Sequence, residues 1–155
     1  MKRTILFILL AFVYTWSAAQ TDQERKVNYN IENNLAIQGY DPVAYVKSKK
    51  AIEGNKEIVA SYKGINYRFS STENLALFKQ SPSTYEPAYG GWCAYAMGNS
   101  GEKVEVDPGT FKVIEGKIYL FYNFYFNNTL KSWNKMEPEL KAKAEKNWNK
   151  IITKK

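Results

Sequence analysis

Residues 89–97, YGGWCAYAM, hold the only cysteine of the chain, Cys93. There is no histidine anywhere. Cys-His and Ser-His-Asp catalysis are therefore excluded. So are zinc and copper sites that need imidazole. One thiol cannot form an internal disulfide. Without histidine, only lysine, arginine or a helix N-terminus could activate Cys93, so catalysis is its weakest role. If WCAYAM is helical, Cys93 and Met97 stand four apart on one face. A thiolate with a thioether suits Cu(I) or another soft metal ion, with Met136 as a third ligand if it approaches. An intermolecular disulfide or redox sensing is also open to the thiol. Burial in a core explains the same pair equally simply, since free cysteine and methionine both pack well there.

Rings form the second group with chemical potential. Tyr40, Tyr45, Tyr89, Trp92 and Tyr95 flank the glycine pair Gly90-Gly91 or the segment GYDPVAY. Gathered together, they could line a ligand pocket, with faces for stacking and hydroxyls for orientation. An aromatic core is the alternative. Asp41 could anchor such a ligand or pair with Asp107 for acid-base work. Each aspartate stands directly before a proline, however, where helix N-capping accounts for it.

The elements that must position these groups are short. NLAIQG (34–39) reads as a strand. YDPVAY (40–45) reads as a helical turn capped by Asp41 with Pro42 at its first position. EIVASYKGINYRF (57–69) reads as a hairpin turning at Lys63-Gly64. SSTENLALFKQ (70–80) reads as a helix, with Ser70 and Glu73 at capping-box spacing. SPSTY (81–85) begins another helical turn with Ser81 as cap. DPGTF (107–111) repeats the Asp-Pro turn. FKVIEGKIYLFY (111–122) is a second hairpin, around Glu115-Gly116, and two helices close the chain. This order predicts an α+β fold: a small single domain with two β-hairpins and several short helices.

Composition sets the outer bounds. The chain has 155 residues, 45% hydrophobic and 24% charged, which fits one globular domain. Lys2 and Arg3, the apolar run ILFILLAFV (5–13) and SAAQ (17–20) together read as a secretory signal peptide cleaved after Ala19. The apolar run is too short to span a bilayer, and an uncleaved anchor is the competing reading. The expected organisation is a signal peptide at 1–19, a polar lead-in, loose or helical, at 20–34, and the domain at 35–152. The protein is then exported, periplasmic or secreted, with no transmembrane segment after cleavage. The net charge of +7 falls to +5 when Lys2 and Arg3 leave. Export argues against a nucleic-acid partner, and the basic C-terminal stretch reads as a solvated helix face.

GYDPVAY (39–45), YKGINYRFSSTENLALFKQSPSTYEPAYGGWCAYAM (62–97), VDPGTF, GKIYLFYN and a late SW occur in that order. Together they resemble the YHS-domain family, and within it the exported, single-domain bacterial branch. The resemblance covers roughly residues 35–150. Metal-associated members of the family carry a cysteine after Asp-Pro-Val and another after the Tyr-x-Phe of the hairpin. This sequence has Ala44 and Ser70 there. The exported branch carries its cysteine within GGWCAYAM, as at Cys93. The resemblance implies a binding module for a small molecule or a soft metal ion, without catalysis, at the meeting of GYDPVAY and YGGWCAYAM. Two further readings stay open: thiol-based redox or copper handling through Cys93 and Met97, and a structural or interaction domain whose aromatics are all core.

Overall fold

The computed structural model describes residues 21–153, so the expected signal peptide lies outside the described residues. The chain begins with a capped helix, α1 (Asp22–Asn28). Thr21 Oγ1 accepts from the Glu24 N–H, and the Glu24 carboxylate accepts from the Thr21 N–H. This reciprocal box satisfies two of the donors that a helix start leaves free. The polar lead-in is built into the domain. Its Arg25 is buried, and the Asn30 N–H donates to the Gly90 carbonyl at 2.9 Å.

Strands β1 (Ile31–Glu32) and β2 (Leu35–Ala36) form a minimal hairpin. β3 (Asn55–Tyr62) and β4 (Ile65–Phe69) form the longer one expected at Lys63-Gly64. These four strands make one sheet in the order β1-β2-β4-β3, with β2 parallel to β4. Helix α2 (Pro42–Lys47) lies between the two hairpins in sequence, with Asp41 as its cap. α3 (Thr72–Gln80) and α4 (Pro82–Tyr85) follow, then α5 (Ala94–Asn99). β5 (Asp107–Ile114) and β6 (Lys117–Phe121) pair around Glu115-Gly116. A short third sheet, β7 (Asn123–Phe124) with β8 (Asn127–Asn128), leads to α6 (Thr129–Trp133) and α7 (Glu137–Thr153). The fold is α+β. No described helix is long and apolar enough to cross a membrane.

Four two-residue turns join the paired strands: Asn33-Asn34, Lys63-Gly64, Glu115-Gly116 and Tyr125-Phe126. Both residues of every turn have positive φ. That conformation matches the right-handed twist of the strands it joins, and asparagine and glycine adopt it most readily. The fourth turn achieves it with two aromatic residues.

β6 divides the interior. Ile118 and Leu120 face one core with Val43, Tyr45, Tyr67, Phe69 and Phe78. Tyr119 and Phe121 face a second core with Met97, Trp133, Leu140 and Ala144. Alternation along one strand thus gives each core every second side chain.

Four local expectations are corrected. The cap of α3 is Ser71, whose Oγ accepts from the Asn74 N–H, and the helix starts at Thr72. Ser70 is unavailable for capping because its N–H and hydroxyl both donate to Asp41. Ser81 precedes α4 but makes no side-chain cap bond. Asp107 opens strand β5 instead of capping a helix. Its carboxylate accepts from the Gly109 N–H and the Thr110 hydroxyl, at an irregularity in the β5–β6 pairing. NLAIQG is strand only at Leu35–Ala36, after which Ile37–Gly39 form a 3-10 turn.

Candidate functional site

Asp41 is fully buried, and its carboxylate accepts five hydrogen bonds. Oδ1 takes the N–H groups of Val43 and Ala44 at the start of α2. Oδ2 takes the Ser70 N–H, the Ser70 hydroxyl and the Asn74 side-chain amide. One carboxylate thus fastens α2 to the end of β4 and the start of α3. Tyr45 beside it is also buried. Its hydroxyl donates to the Pro108 carbonyl at 2.9 Å, and its ring meets Phe111 edge-on at 4.7 Å. Tyr40 is half-buried and pairs its backbone with Glu53.

The second segment turns toward other partners. The Trp92 indole N–H donates to the Asn28 carbonyl at 2.7 Å. The Tyr89 ring packs edge-on to Tyr119 at 5.8 Å. Tyr95 is half-buried at a small cavity that ends on Cys93. Five well-formed cavities lie among the described residues, and GYDPVAY lines none of these.

Cys93 stands at the N-terminus of α5 with no solvent exposure. Its sulfur accepts from the Tyr122 N–H and lies 3.4 Å from Thr129 Oγ1. The Thr129 hydroxyl donates to the Tyr122 carbonyl at 2.9 Å, so the remaining bond runs from the thiol S–H to Thr129. Donor and acceptor capacity of the thiol are both engaged inside the protein. Met97 is four residues on but belongs to the other core, beside Trp133 and Leu140. The described residues contain no group of three or more Cys, Asp or Glu placed to hold a metal ion. A soft Cys-Met centre gains no support from this arrangement.

A different place collects chemistry. Tyr89 and Gly90 sit in a tight turn with φ of +53° and +62°. A Cβ on Gly90 would lie 2.7 Å from the Trp148 ring and 3.1 Å from that of Tyr29. The bare glycine lets both rings close over the backbone. Beside this turn is a cavity of about 310 Å³. That volume is at the small end of ligand sites, which run from about 300 to 1,000 Å³. β6 contributes Lys117 and Tyr119, two apart and so on one face of the strand. α7 contributes Glu145 and Trp148, three apart and so on one face of the helix. Tyr29 and Tyr89 complete the ring wall.

The cavity is backed by a buried ion pair. Arg25 Nη2 donates to Glu86, which also accepts from the Tyr67 hydroxyl at 2.6 Å. Arg25 further donates to the Tyr29 hydroxyl at 2.7 Å and to the Lys63 carbonyl. Burial is the largest single influence on Arg25 and lowers its pKa, but the charge and hydrogen bond of Glu86 together with Tyr29 and Tyr67 outweigh it and hold the guanidinium above its ordinary value. Lys117 is in the opposite position. Desolvation pushes its pKa down, and the Glu86 charge offsets this only in part. Among the described residues no carboxylate lies within ion-pair distance of its ammonium, which donates one bond, to the Ser83 carbonyl at 3.2 Å. Burial raises the pKa of Tyr89 and Tyr119, so both phenols stay protonated; the Tyr89 hydroxyl donates to the Lys141 carbonyl at 3.5 Å, and that of Tyr119 has no acceptor among the described residues.

Of the candidate binding residues named from the sequence, Tyr89 alone lines this cavity, together with Gly90 of the glycine pair. Lys117, Tyr119, Glu145 and Trp148 were missed. Each pair shows the spacing of one face of its own element, yet nothing in the sequence says that the two faces meet. Comparison with protein-family models, curated proteins and solved structures finds no match to this chain.

Proposed function

We propose that this chain is an exported, non-catalytic binding module, related to the YHS-domain family, that holds a small organic molecule beside the Tyr89-Gly90 turn. The observation that carries the reading is Lys117: a desolvated ammonium without a carboxylate partner, facing a ring-lined cavity. Desolvating a charge without a partner costs stability, and such groups concentrate at binding sites. The left-handed Tyr89, a buried non-glycine residue, adds strain at the same place. Mechanism here is recognition. Rings supply faces, the protonated Tyr119 phenol donates, and Lys117 supplies charge.

Native mass spectrometry of protein purified from its own exported fraction, without refolding, tests this. The wild type is expected to retain a small-molecule mass that Lys117→Met loses. An adduct retained equally by both proteins, or the mass of a metal ion alone, would overturn the reading.

A second reading rests on the Tyr125-Phe126 turn. Both side chains are fully exposed, and Phe124 beside them is partly so. Three consecutive aromatics on a protruding turn suit anchoring in an apolar pocket of a partner protein. A photo-crosslinking residue at position 126 would then give one discrete adduct in the exported fraction. Diffuse labelling would remove this reading.

A further inference from the structure

The charges around the cavity narrow its ligand further, on the reading that the cavity is a binding site. Lys117 has two ammonium N–H groups that no described protein acceptor takes. The carboxylate behind it, Glu86, is committed to Arg25 and Tyr67. Glu145, on the α7 side of the same cavity, makes no ion pair or hydrogen bond among the described residues. Its helical neighbour one turn back, Lys141, pairs with Glu115 at 3.2 Å and feels the Glu145 charge only at longer range, and Glu145 itself is exposed to solvent. The cavity therefore presents one uncommitted cation and one uncommitted anion, with the rings of Tyr29, Tyr89, Tyr119 and Trp148 around them.

A simple anion would satisfy Lys117 but face the Glu145 carboxylate. A simple cation would satisfy Glu145 but face Lys117. We infer that the cavity selects a small zwitterion with an apolar body, its carboxylate on Lys117 and its ammonium on Glu145. The volume of about 310 Å³ suits a molecule the size of one free amino acid. The body would stack against Trp148 and Tyr89, and the protonated hydroxyl of Tyr119 could donate to the ligand carboxylate. Neither charge need leave water without a partner, which is what permits selectivity between ligands of similar shape.

The test uses three probes that share one ring and differ in charge: L-phenylalanine, 3-phenylpropionate and phenethylamine. Affinity is read by calorimetry, and location by the NMR shift of the Trp148 indole N–H. Phenylalanine is expected to bind at least tenfold more tightly than either single-charge analogue. Lys117→Met should weaken phenylalanine and 3-phenylpropionate at least tenfold and tighten phenethylamine, which no longer faces a like charge. Glu145→Gln should do the reverse. Circular dichroism melting confirms that both variants fold. Single-charge analogues that bind as tightly as phenylalanine while shifting Trp148 would overturn the zwitterion and leave the cavity a binding site. No shift of Trp148 by any probe at millimolar concentration would also overturn it. The broader reading is judged separately, by the mass retained on the native protein.

Discussion

Replacing Asp41 by alanine leaves the N–H groups of Val43, Ala44 and Ser70, the Ser70 hydroxyl and the Asn74 amide without their common acceptor. Buried donors stripped of a partner cost about 1–3 kcal/mol each, partly recovered by relaxation. We expect Asp41→Ala to lose about 3 kcal/mol or more in urea unfolding, with probe binding at the Lys117 cavity unaltered in the folded fraction. Its capping role was legible, because Asp-Pro before an apolar turn has a local cause. Its hold on Ser70 and Asn74 was not, since those partners lie 29 and 33 residues away. Cys93 makes the same point. A lone thiol among aromatics reads equally as a ligand or a core group, and its contacts with Tyr122 and Thr129 come from segments that no local pattern ties to it. A maleimide should therefore leave the native protein unmodified and label it once in denaturant. Rapid native labelling would favour the redox reading.

At the scale of elements, the chain tests turn chemistry against itself. Asn33-Asn34, Lys63-Gly64 and Glu115-Gly116 use residues that tolerate positive φ at one or both positions, while Tyr125-Phe126 does not. Left-handed backbone costs ordinary L-residues roughly 1–2 kcal/mol each. Tyr125→Asn with Phe126→Gly should raise stability by about 1–2 kcal/mol in urea unfolding. An unchanged midpoint would mean that the aromatic turn carries compensating contacts. The two larger hairpins were readable because their apolar alternation and turn glycine agree. The smaller pairs, β1–β2 and β7–β8, have two residues per strand, too few for a period to show. The helices were readable in place, with a slip of one or two residues where a serine had a long-range partner.

Across the whole molecule, ionisation sets an alkaline limit. Burial holds the pKa values of Tyr45, Tyr67 and Tyr89 above their ordinary value of 10.0. The unfolded chain releases these protons near pH 10, while the folded chain keeps them. The unfolded state then binds fewer protons, so stability falls as pH rises above 10, by up to about 1.4 kcal/mol per pH unit per phenol. Lys117 acts in the other sense. Its folded pKa lies below the ordinary 10.5, so its desolvation cost is relieved as pH rises through the window beneath that value. Lys103 is lowered in the same way, and Tyr29, Tyr40 and Tyr119 are raised like the other three, so two lysines against six phenols leave a net loss above pH 10. Beyond the absorbance of exposed phenols such as Tyr125, the tyrosinate signal of the buried ones at 295 nm should therefore appear in the same transition in which far-UV dichroism is lost. The cavity itself was the least legible feature. Its parts come from Tyr29 just after α1, the segment 86–90, β6 and α7, and tertiary packing alone unites them.

β6 has one more consequence, for cooperativity. Ile118 and Leu120 belong to one core and Tyr119 and Phe121 to the other, so neither core can come apart while the strand stays in place. Two interiors that share a strand should melt as one. Calorimetry is expected to give a single endotherm whose enthalpy equals the van't Hoff value, the mark of an all-or-none transition.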